Sequence, residues 1–546
     1  MRQWLQIDAA DNLAVALSDL PAGHEVSFSG KKFTLRNQVP AKHKFTLRKI
    51  KKEEPFVMYG AKVGFAVRDV EAGEALAESH IRPGKSKELN WSANKYHWHG
   101  PDSPQYQKEW EGYPRENGSF GTRNHWLVIP LVFCENHHVE LLRESLQDAL
   151  GYRSQKKRSF DISELVTAVK SGAGVEEVAQ MQPGSVISES GERVFPNIDG
   201  IKFITHQAGC GGTRGDSDMF VELVVSYLIN PNCGGATIIS LGCQNAQMQQ
   251  VKERLNKRAP QYARPIVWCE EQSFHGENVF LKTAISQTMA GLMKANESKR
   301  EKAPFSALSL GLECGGSDGF SGISANPLLG KASDQIVGGG GNAILSEFPE
   351  LNGVEQELVN RCKSKDQADR FVHLMKAYEK HVLDAGSSFD ANPSPGNIRE
   401  GLLTGAMKSA GAARKGGSAP VSSVLDYSEI PESKGLHLLC TPGNDVESTT
   451  ALAASGANLI VFTTGLGTPT GNPLTPVIKM SSNTTLALKM RHLIDFDAGV
   501  IIGGKNMDDL TKDFLDYLIK VASGHLTKAE ENGQDDFIPW KRDISL

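Results

Sequence analysis

The stretch GLECGGSDGFSGISANP, residues 311–327, sets five glycines beside Glu313, Cys314, Ser317, Asp318 and Asn326, with little side chain to fill a core. Glycine opens backbone positions closed to other residues and lets a chain approach a ligand closely. The ordinary reading is a surface loop of turns. The chemical reading is a polyhydroxylated or anionic ligand held by backbone amides and short polar groups, with Glu313 and Asp318 in direct contact. A second such stretch, GCGGTRGDSD at 209–218, follows His206 and carries Cys210 before a Gly-Gly pair. It has neither the Lys-Ser/Thr ending of a phosphate loop nor the GxGxxG spacing of a dinucleotide site. The hydrolase elbow is also unsupported, because Ser321 in GFSGIS has no partner with a defined triad role.

Arg123 and Asn124, in FGTRNHW, stand immediately before an apolar run. The planar fork of Arg123 suits two carboxylate oxygens. Asp445 and Glu447 follow Pro442-Gly443, where the dipole and cap of a helix amino terminus explain acidic residues without any catalytic role.

Eight cysteines are too sparse for a disulfide scaffold, and none forms a CxxC pair. Cys210, Cys243 and Cys314 could offer thiolates to a metal, against an oxygen-and-imidazole site as competitor. No local spacing calls for an iron–sulfur cluster.

These residues need elements to hold them. At 546 residues the chain should divide into about two to four domains. Residues 1–90 read as a small β-rich domain: NLAVALSDLPAGHEVSF and VGFAVRDVEAGEALAE both run strand, turn, strand. Residues 91–118 read as an aromatic connector that packs on a neighbour. Residues 119–300 read as a central α/β domain, with HWLVIPLVF a buried strand and HHVELLRESLQDALG a helix. Residues 301–546 read as a second α/β domain. The fold class is therefore multidomain α/β with mainly parallel sheets. His206, Cys210 and Cys243 fall at or beyond strand ends, the usual ligand edge of such sheets.

The 59 Lys and Arg against 64 Asp and Glu give a formal charge of −5, which argues against a polyanion as main partner. We expect no nucleic acid or membrane partner, and a homo-oligomer stays open. No signal-like amino terminus is visible and the apolar runs are too short to span a bilayer, so the expectation is a cytoplasmic protein.

FGTRNHW, THQAGCGG, GLECGGSDGFSGISANPLLG, ILSEFPE, NPSPGN and FTTGLG occur in one order across 120–467. This series resembles the altronate dehydratase and galactarate dehydratase family, and the amino-terminal piece resembles the SAF domain carried by those enzymes. The resemblance implies a hydro-lyase that removes water from a sugar acid to give a 2-keto-3-deoxy acid. Altronate is the first expectation, galactarate or a related acid the second, and a noncatalytic sugar-acid binder the third. It also implies a divalent metal, Fe2+ first and Mn2+ as alternative. The family commonly reads Gly-His-Lys in its SAF domain, where this chain has Lys42-His43-Lys44. The expected catalytic residues are His43, Lys44 and His206, with His43 or His206 exchanging a proton and Lys44 or Arg123 holding the substrate carboxylate. Arg123, Asn124, Ser317, Asp318 and Asn326 would bind substrate, and Cys210, Cys243, Cys314 and Glu313 would bind metal.

Overall fold

The computed structural model describes residues 2–84, 89–92, 96–152, 157–188 and 191–545. Its amino-terminal module consists of short antiparallel strands. Leu13–Ala16 lies between Trp4–Leu5 and Lys44–Thr46, Glu25–Phe28 pairs with Lys31–Thr34, and Pro55–Met58 pairs with Ala61–Ala66. The alternation read from the sequence appears directly: Val26 is buried while Glu25 and Ser27 face solvent. Val26 joins Leu20, Val39, Phe45 and Leu47 in a small core of the module's own. Gly73, in the Glu-Ala-Gly turn, has φ +76°, and a Cβ there would come within 2.5 Å of the Thr34 carbonyl oxygen. Only glycine fits that turn.

The segment expected as a connector contributes a strand. Glu109–Pro114 runs antiparallel between Phe120–Gly121 and Glu301–Pro304, so chain from before and after the central domain shares one small sheet. Trp110 is buried within it, and Trp91 and Trp98 donate their indole N–H groups to Cys362 O and Ser418 Oγ at 3.0 and 3.1 Å. The aromatic residues thus pack on the carboxy-terminal domain.

The central domain is built on a parallel sheet in the order Gly200–Phe203, His125–Pro130, Cys233–Ser240, Ile266–Glu270. All six residues of His125–Pro130 are buried, as a strand covered on both faces requires. Helix Asn136–Leu146 turns Val139, Leu142 and Leu146 inward, and helix Arg214–Ile229 follows the glycine turn.

The carboxy-terminal domain has seven parallel strands in the order Val421–Leu425, Gly435–Leu439, Asn342–Leu345, Ser309–Cys314, Leu459–Thr464, Val477–Ser481, Phe496–Asp497. The chain starts at the middle strand, Ser309–Cys314, moves to one side, then crosses to the other at Leu459–Thr464. That reversal leaves a crevice beyond the carboxyl end of Ser309–Cys314. The two large domains share one apolar core, to which helix Arg214–Ile229 contributes Val221 and Leu223 and helix Asp445–Ala454 contributes Leu452. Among the described residues no helix is long and apolar enough to cross a membrane.

Candidate functional site

The crevice holds a buried set of acids, a thiol and two lysines. Cys314 ends its strand, and the neighbouring strand Asn342–Leu345 ends just before Ser346 and Glu347. Glu347 adopts φ +68°, a left-handed conformation unusual for a residue with a side chain, and its N–H is held by Thr441 Oγ1 at 2.8 Å. The short helical turn that follows brings Glu350 to the same spot. Cys314 Sγ then lies 2.8 Å from Glu350 Oε2 and 3.3 Å from Glu347 Oε2. Lys415 Nζ meets Glu347 Oε2 at 2.9 Å, and Lys408 Nζ meets Glu350 Oε1 at 2.6 Å. Glu313 points its Oε2 at Ser346 and Ser448, which donate at 2.7 and 2.6 Å.

Burial sets the charge states. Desolvation holds the Glu313 carboxyl well above the usual range, aided by the charge of Glu347. Desolvation also raises Glu347, with the Glu350 charge adding to it and Lys415 opposing. At Glu350 desolvation is outweighed by Lys408 and Lys415, and its carboxyl is lowered. Cys314 is driven up by burial and the two carboxylates. Asp445, the first residue of its helix, is pushed up to about 7 by burial and then by Glu347 and Glu350. A carboxyl tuned to neutral pH can both give and take a proton there.

Two donor sets have ligand atoms within 4.8 Å of one another here: Cys314, Glu347 and Glu350, and Glu313, Glu347 and Asp445. Glu313 Oε1 and Glu347 Oε1 are buried without a hydrogen-bond partner. Orphaned carboxylate oxygens of this kind are costly, and a divalent cation satisfies them. Carboxylate oxygens with one thiol suit iron or manganese better than a soft-metal thiolate cage would. The residues therefore fit a divalent metal. A cavity of about 530 Å³ adjoins them, bordered by Cys314, Gly316, Asn397, Lys408 and Asp445.

The other residues expected from sequence are placed differently. Asp318 is fully buried as the hub of a network: Oδ1 accepts from Ser321 Oγ at 2.9 Å and Ser482 Oγ at 2.8 Å, while Oδ2 accepts from Asn483 Nδ2 at 3.1 Å. Ser317 gives its carbonyl to Asn397 Nδ2, and Asn326 spans Gly411 O and Thr463 Oγ1. Arg123 is buried, with its fork on Glu530 at 2.7 and 2.9 Å and further donors on Val521 O and His525 O. Asn124 bonds to Asn197 O and Ala295 O. Arg123 ties the central domain to the carboxy-terminal one, Asn124 braces the central domain from within, and neither lines the two cavities described here.

The amino-terminal module docks beside the Asp318 network. Lys42 takes φ +75°, the left-handed region favoured by glycine, and its ammonium pairs with Asp318 Oδ2 at 3.1 Å and with Glu400. The resemblance led to glycine at this position; the lysine keeps that backbone and adds two ion pairs. His43 Nε2 lies 3.1 Å from Arg399 O, and burial lowers its pKa. Lys44 is fully buried, donates to Gly401 O at 2.6 Å and Lys42 O at 3.0 Å, and is brought down to about 7 by desolvation against the pull of Asp318.

His206 sits in the central domain beside a larger cavity of about 920 Å³ that also borders Cys210. Its Nε2 faces Pro130 O at 2.7 Å and its Nδ1 accepts from Ala208 N at 3.0 Å. Desolvation lowers its pKa to about 4, so at neutral pH it is an uncharged brace for the glycine turn. A further donor set, Glu135, His138 and Glu271, lies in the same domain. Cys314 and Glu313 thus stand in the acid cluster, and Cys210 belongs to the other cavity. Glu350, Lys408 and Lys415 had no sequence signal beyond the pair of glutamates flanking Phe-Pro in SEFPE and two lysines in a small-residue segment.

A β-rich module followed by two parallel-sheet domains, with a buried acid cluster and an adjoining cavity at the sheet's switch point, defines a multidomain α/β architecture. Its parts match known families in sequence. The "Altronate/galactarate dehydratase SAF domain" matches residues 2–83. The "D-galactarate dehydratase/Altronate hydrolase, second domain" matches 112–296, and the "D-galactarate/Altronate dehydratase, C-terminal" domain matches 305–545. The chain is 32% identical to an altronate dehydratase of Escherichia coli over 546 residues, covering all of both chains. It is 31% identical to an altronate dehydratase of Bacillus subtilis, again over the whole of both. A galactarate dehydratase (L-threo-forming) of Escherichia coli is 28% identical, over 95% of this chain and 93% of the relative. The chain belongs to the altronate/galactarate dehydratase family.

Proposed function

We propose that the protein is a metal-dependent hydro-lyase that converts D-altronate to 2-dehydro-3-deoxy-D-gluconate, with galactarate as the second candidate substrate. Full-length similarity to the altronate dehydratases favours the first acid, and the 28% match to the galactarate enzyme keeps the second in view. The carrying observation is the buried cluster of Glu313, Cys314, Glu347, Glu350 and Asp445, with two orphaned carboxylate oxygens, opening on a cavity lined by both polar and apolar residues.

Dehydration removes a proton from C2 and hydroxide from C3, leaving an enol that rearranges to the 2-keto acid. The C2 proton is weakly acidic and hydroxide leaves poorly, so the site must accept a proton, donate one and stabilise negative charge. Asp445, poised near neutrality at the cavity wall, holds or moves the proton. Lys408 borders the cavity with its charge favoured by Glu350, and offers an ammonium to the substrate carboxylate. Asn397 at the wall is committed to Ser317 O and Ser394 and fixes the shape of the cavity there. Glu347, Glu350, Cys314 and Glu313 would hold the divalent ion, Fe2+ or Mn2+, which when bound would supply Lewis-acid polarisation of substrate oxygens. In this reading His43 and Lys44 act by fixing the amino-terminal module against residues 399–401, of which Glu400 shares Lys42 with Asp318.

The test is a purified-enzyme assay of both acids with supplied ferrous ion, scored by keto-acid formation. Product from altronate well above that from galactarate is expected. No product from either acid would sink the reading.

A further inference from the structure

Three cysteines distant in sequence gather at one edge of the central domain. Cys134 follows strand His125–Pro130, Cys210 follows Gly200–Phe203, and Cys243 follows Cys233–Ser240, and His125–Pro130 is hydrogen-bonded to both of the others. Parallel strands all point one way, so the three residues lie beyond the same carboxyl edge. Their loops touch. Phe133 N donates to Ala208 O at 3.1 Å, while Asn245 N and Ala246 N donate to Gly209 O at 3.1 and 3.2 Å. Gly209 is the common centre: its φ is +96°, and a Cβ there would reach within 1.9 Å of Leu131 O. Any side chain would force the first two loops apart, so glycine is what lets all three close together.

All three thiols are exposed, whereas the other five cysteines are buried. Glycines of positive φ adjoin two of them: Gly209 (+96°) and Gly211 (+68°) flank Cys210, and Gly242 (+119°) precedes Cys243. Backbone that alternates in handedness turns successive N–H groups toward one point, making the kind of concavity that holds phosphates and iron–sulfur centres. The cavity of about 920 Å³ opens beside Cys210, with Asn136, His206 and Gln207 on its wall.

We propose that Cys134, Cys210 and Cys243 hold a cubane iron–sulfur cluster, with the one iron that lacks a protein thiolate facing this cavity. Thiolate ligands select such clusters. A lone ion would need its donors close together, and among the described residues these three thiols belong to no donor set within 4.8 Å. Thiolates on different irons of a cluster stand further apart, because the irons and sulfides lie between them. An iron with an open position is a Lewis acid for a ligand hydroxyl or carboxylate in the cavity. The proposal goes beyond the sugar-acid reading and does not depend on it.

The test is iron and acid-labile sulfide analysis of the full chain purified without oxygen, repeated after treatment with ferrous iron, sulfide and a thiol reductant. Sulfide in amounts matching iron, with a broad visible absorption lost on exposure to air, is expected. Cys134→Ser, Cys210→Ser and Cys243→Ser should each lower sulfide content by about tenfold or more, at least the cost of losing a metal ligand's supporting partner. Cys362→Ser, buried in the carboxy-terminal domain, should leave it unchanged, and circular dichroism should show all four variants folded. Iron without sulfide after reconstitution, or full sulfide in the folded triple variant, would overturn the proposal. Sugar-acid turnover in the same samples separates the two readings. Sulfide without turnover leaves the cluster and sinks the substrate, and turnover without sulfide does the reverse.

Discussion

Lys415 Nζ stands 2.9 Å from Glu347 Oε2, with both side chains shut away from solvent. Each charge is tolerated there because of the other. Removing one partner of such a pair leaves an uncompensated buried charge, at a cost of about 3–5 kcal/mol. Lys415→Met should therefore lower the thermal midpoint sharply. The double variant Lys415→Met/Glu347→Gln should recover much of the loss, since it removes both charges. Thermal unfolding of the parent and the single and double variants measures the coupling. Additive losses would show that the two charges do not depend on each other.

Asp445 gives a prediction with a defined pH window. Its folded value of about 7 lies above the ordinary 3.8, so between these values the folded state binds more protons than the unfolded chain. Stability then falls as pH rises from about 4 to about 7 and levels off above. Asp445→Asn removes that slope. The variant should be more stable than the parent at pH 7 and equal to it near pH 3.5, as measured by chemical unfolding across the range. Its turnover should drop by about 10²–10⁴, the usual worth of a positioned proton-transfer group. A variant with parental kcat would remove Asp445 from the chemistry.

Lys42 carries two opposed effects that substitution can separate. Its left-handed backbone costs about 1–2 kcal/mol for a residue with a Cβ, and its ammonium offsets this through Asp318 and Glu400. Lys42→Ala keeps the strain and loses the ion pairs, while Lys42→Gly loses both. The alanine variant should be the less stable by about 1 kcal/mol, the steric term reduced by the unfolded-chain entropy that glycine adds. An alanine variant more stable than the glycine variant would show that the backbone at residue 42 is not under strain.

Much of this architecture was legible because periodicity reports burial. The strand HWLVIPLVF and the helix Asn136–Leu146 follow directly from apolar spacing. The glycine-rich stretches correctly marked strand ends, since only glycine tolerates the close approaches found at Gly209 and Gly73. The acid cluster was legible in part. Cys314 and Glu313 share a strand with an apolar run and were visible, but Lys408 and Lys415 reach the same point from 94 and 101 residues further on. Their partners are fixed by strand order, which no local pattern contains. Arg123 illustrates the opposite failure. Its residue type suits a substrate carboxylate as well as it suits Glu530, and only the fold decides between them. The segment 91–118 read as a connector because its strand, Glu109–Pro114, finds its partner Glu301–Pro304 nearly two hundred residues away.

Lys44 yields a prediction of opposite sign to that for Asp445. Burial brings its folded value down from 10.5 to about 7, while the unfolded chain keeps the ordinary one. Between pH 7 and 10.5 the unfolded state binds the extra proton, so stability contributed at this position rises with pH through that window. Below pH 7 the ammonium is charged in both states, and the folded protein then bears the full cost of burying it. Lys44→Met has nothing to titrate. It loses the hydrogen bonds to Gly401 O and Lys42 O at every pH, which lowers its stability by a constant amount. The gap between parent and variant should consequently widen in the parent's favour from pH 7 to pH 10, as read from urea midpoints at fixed ionic strength. A gap that stays constant would mean that Lys44 keeps its proton on folding. Asp318, whose charge opposes the shift, would then be dominating the local field instead of desolvation.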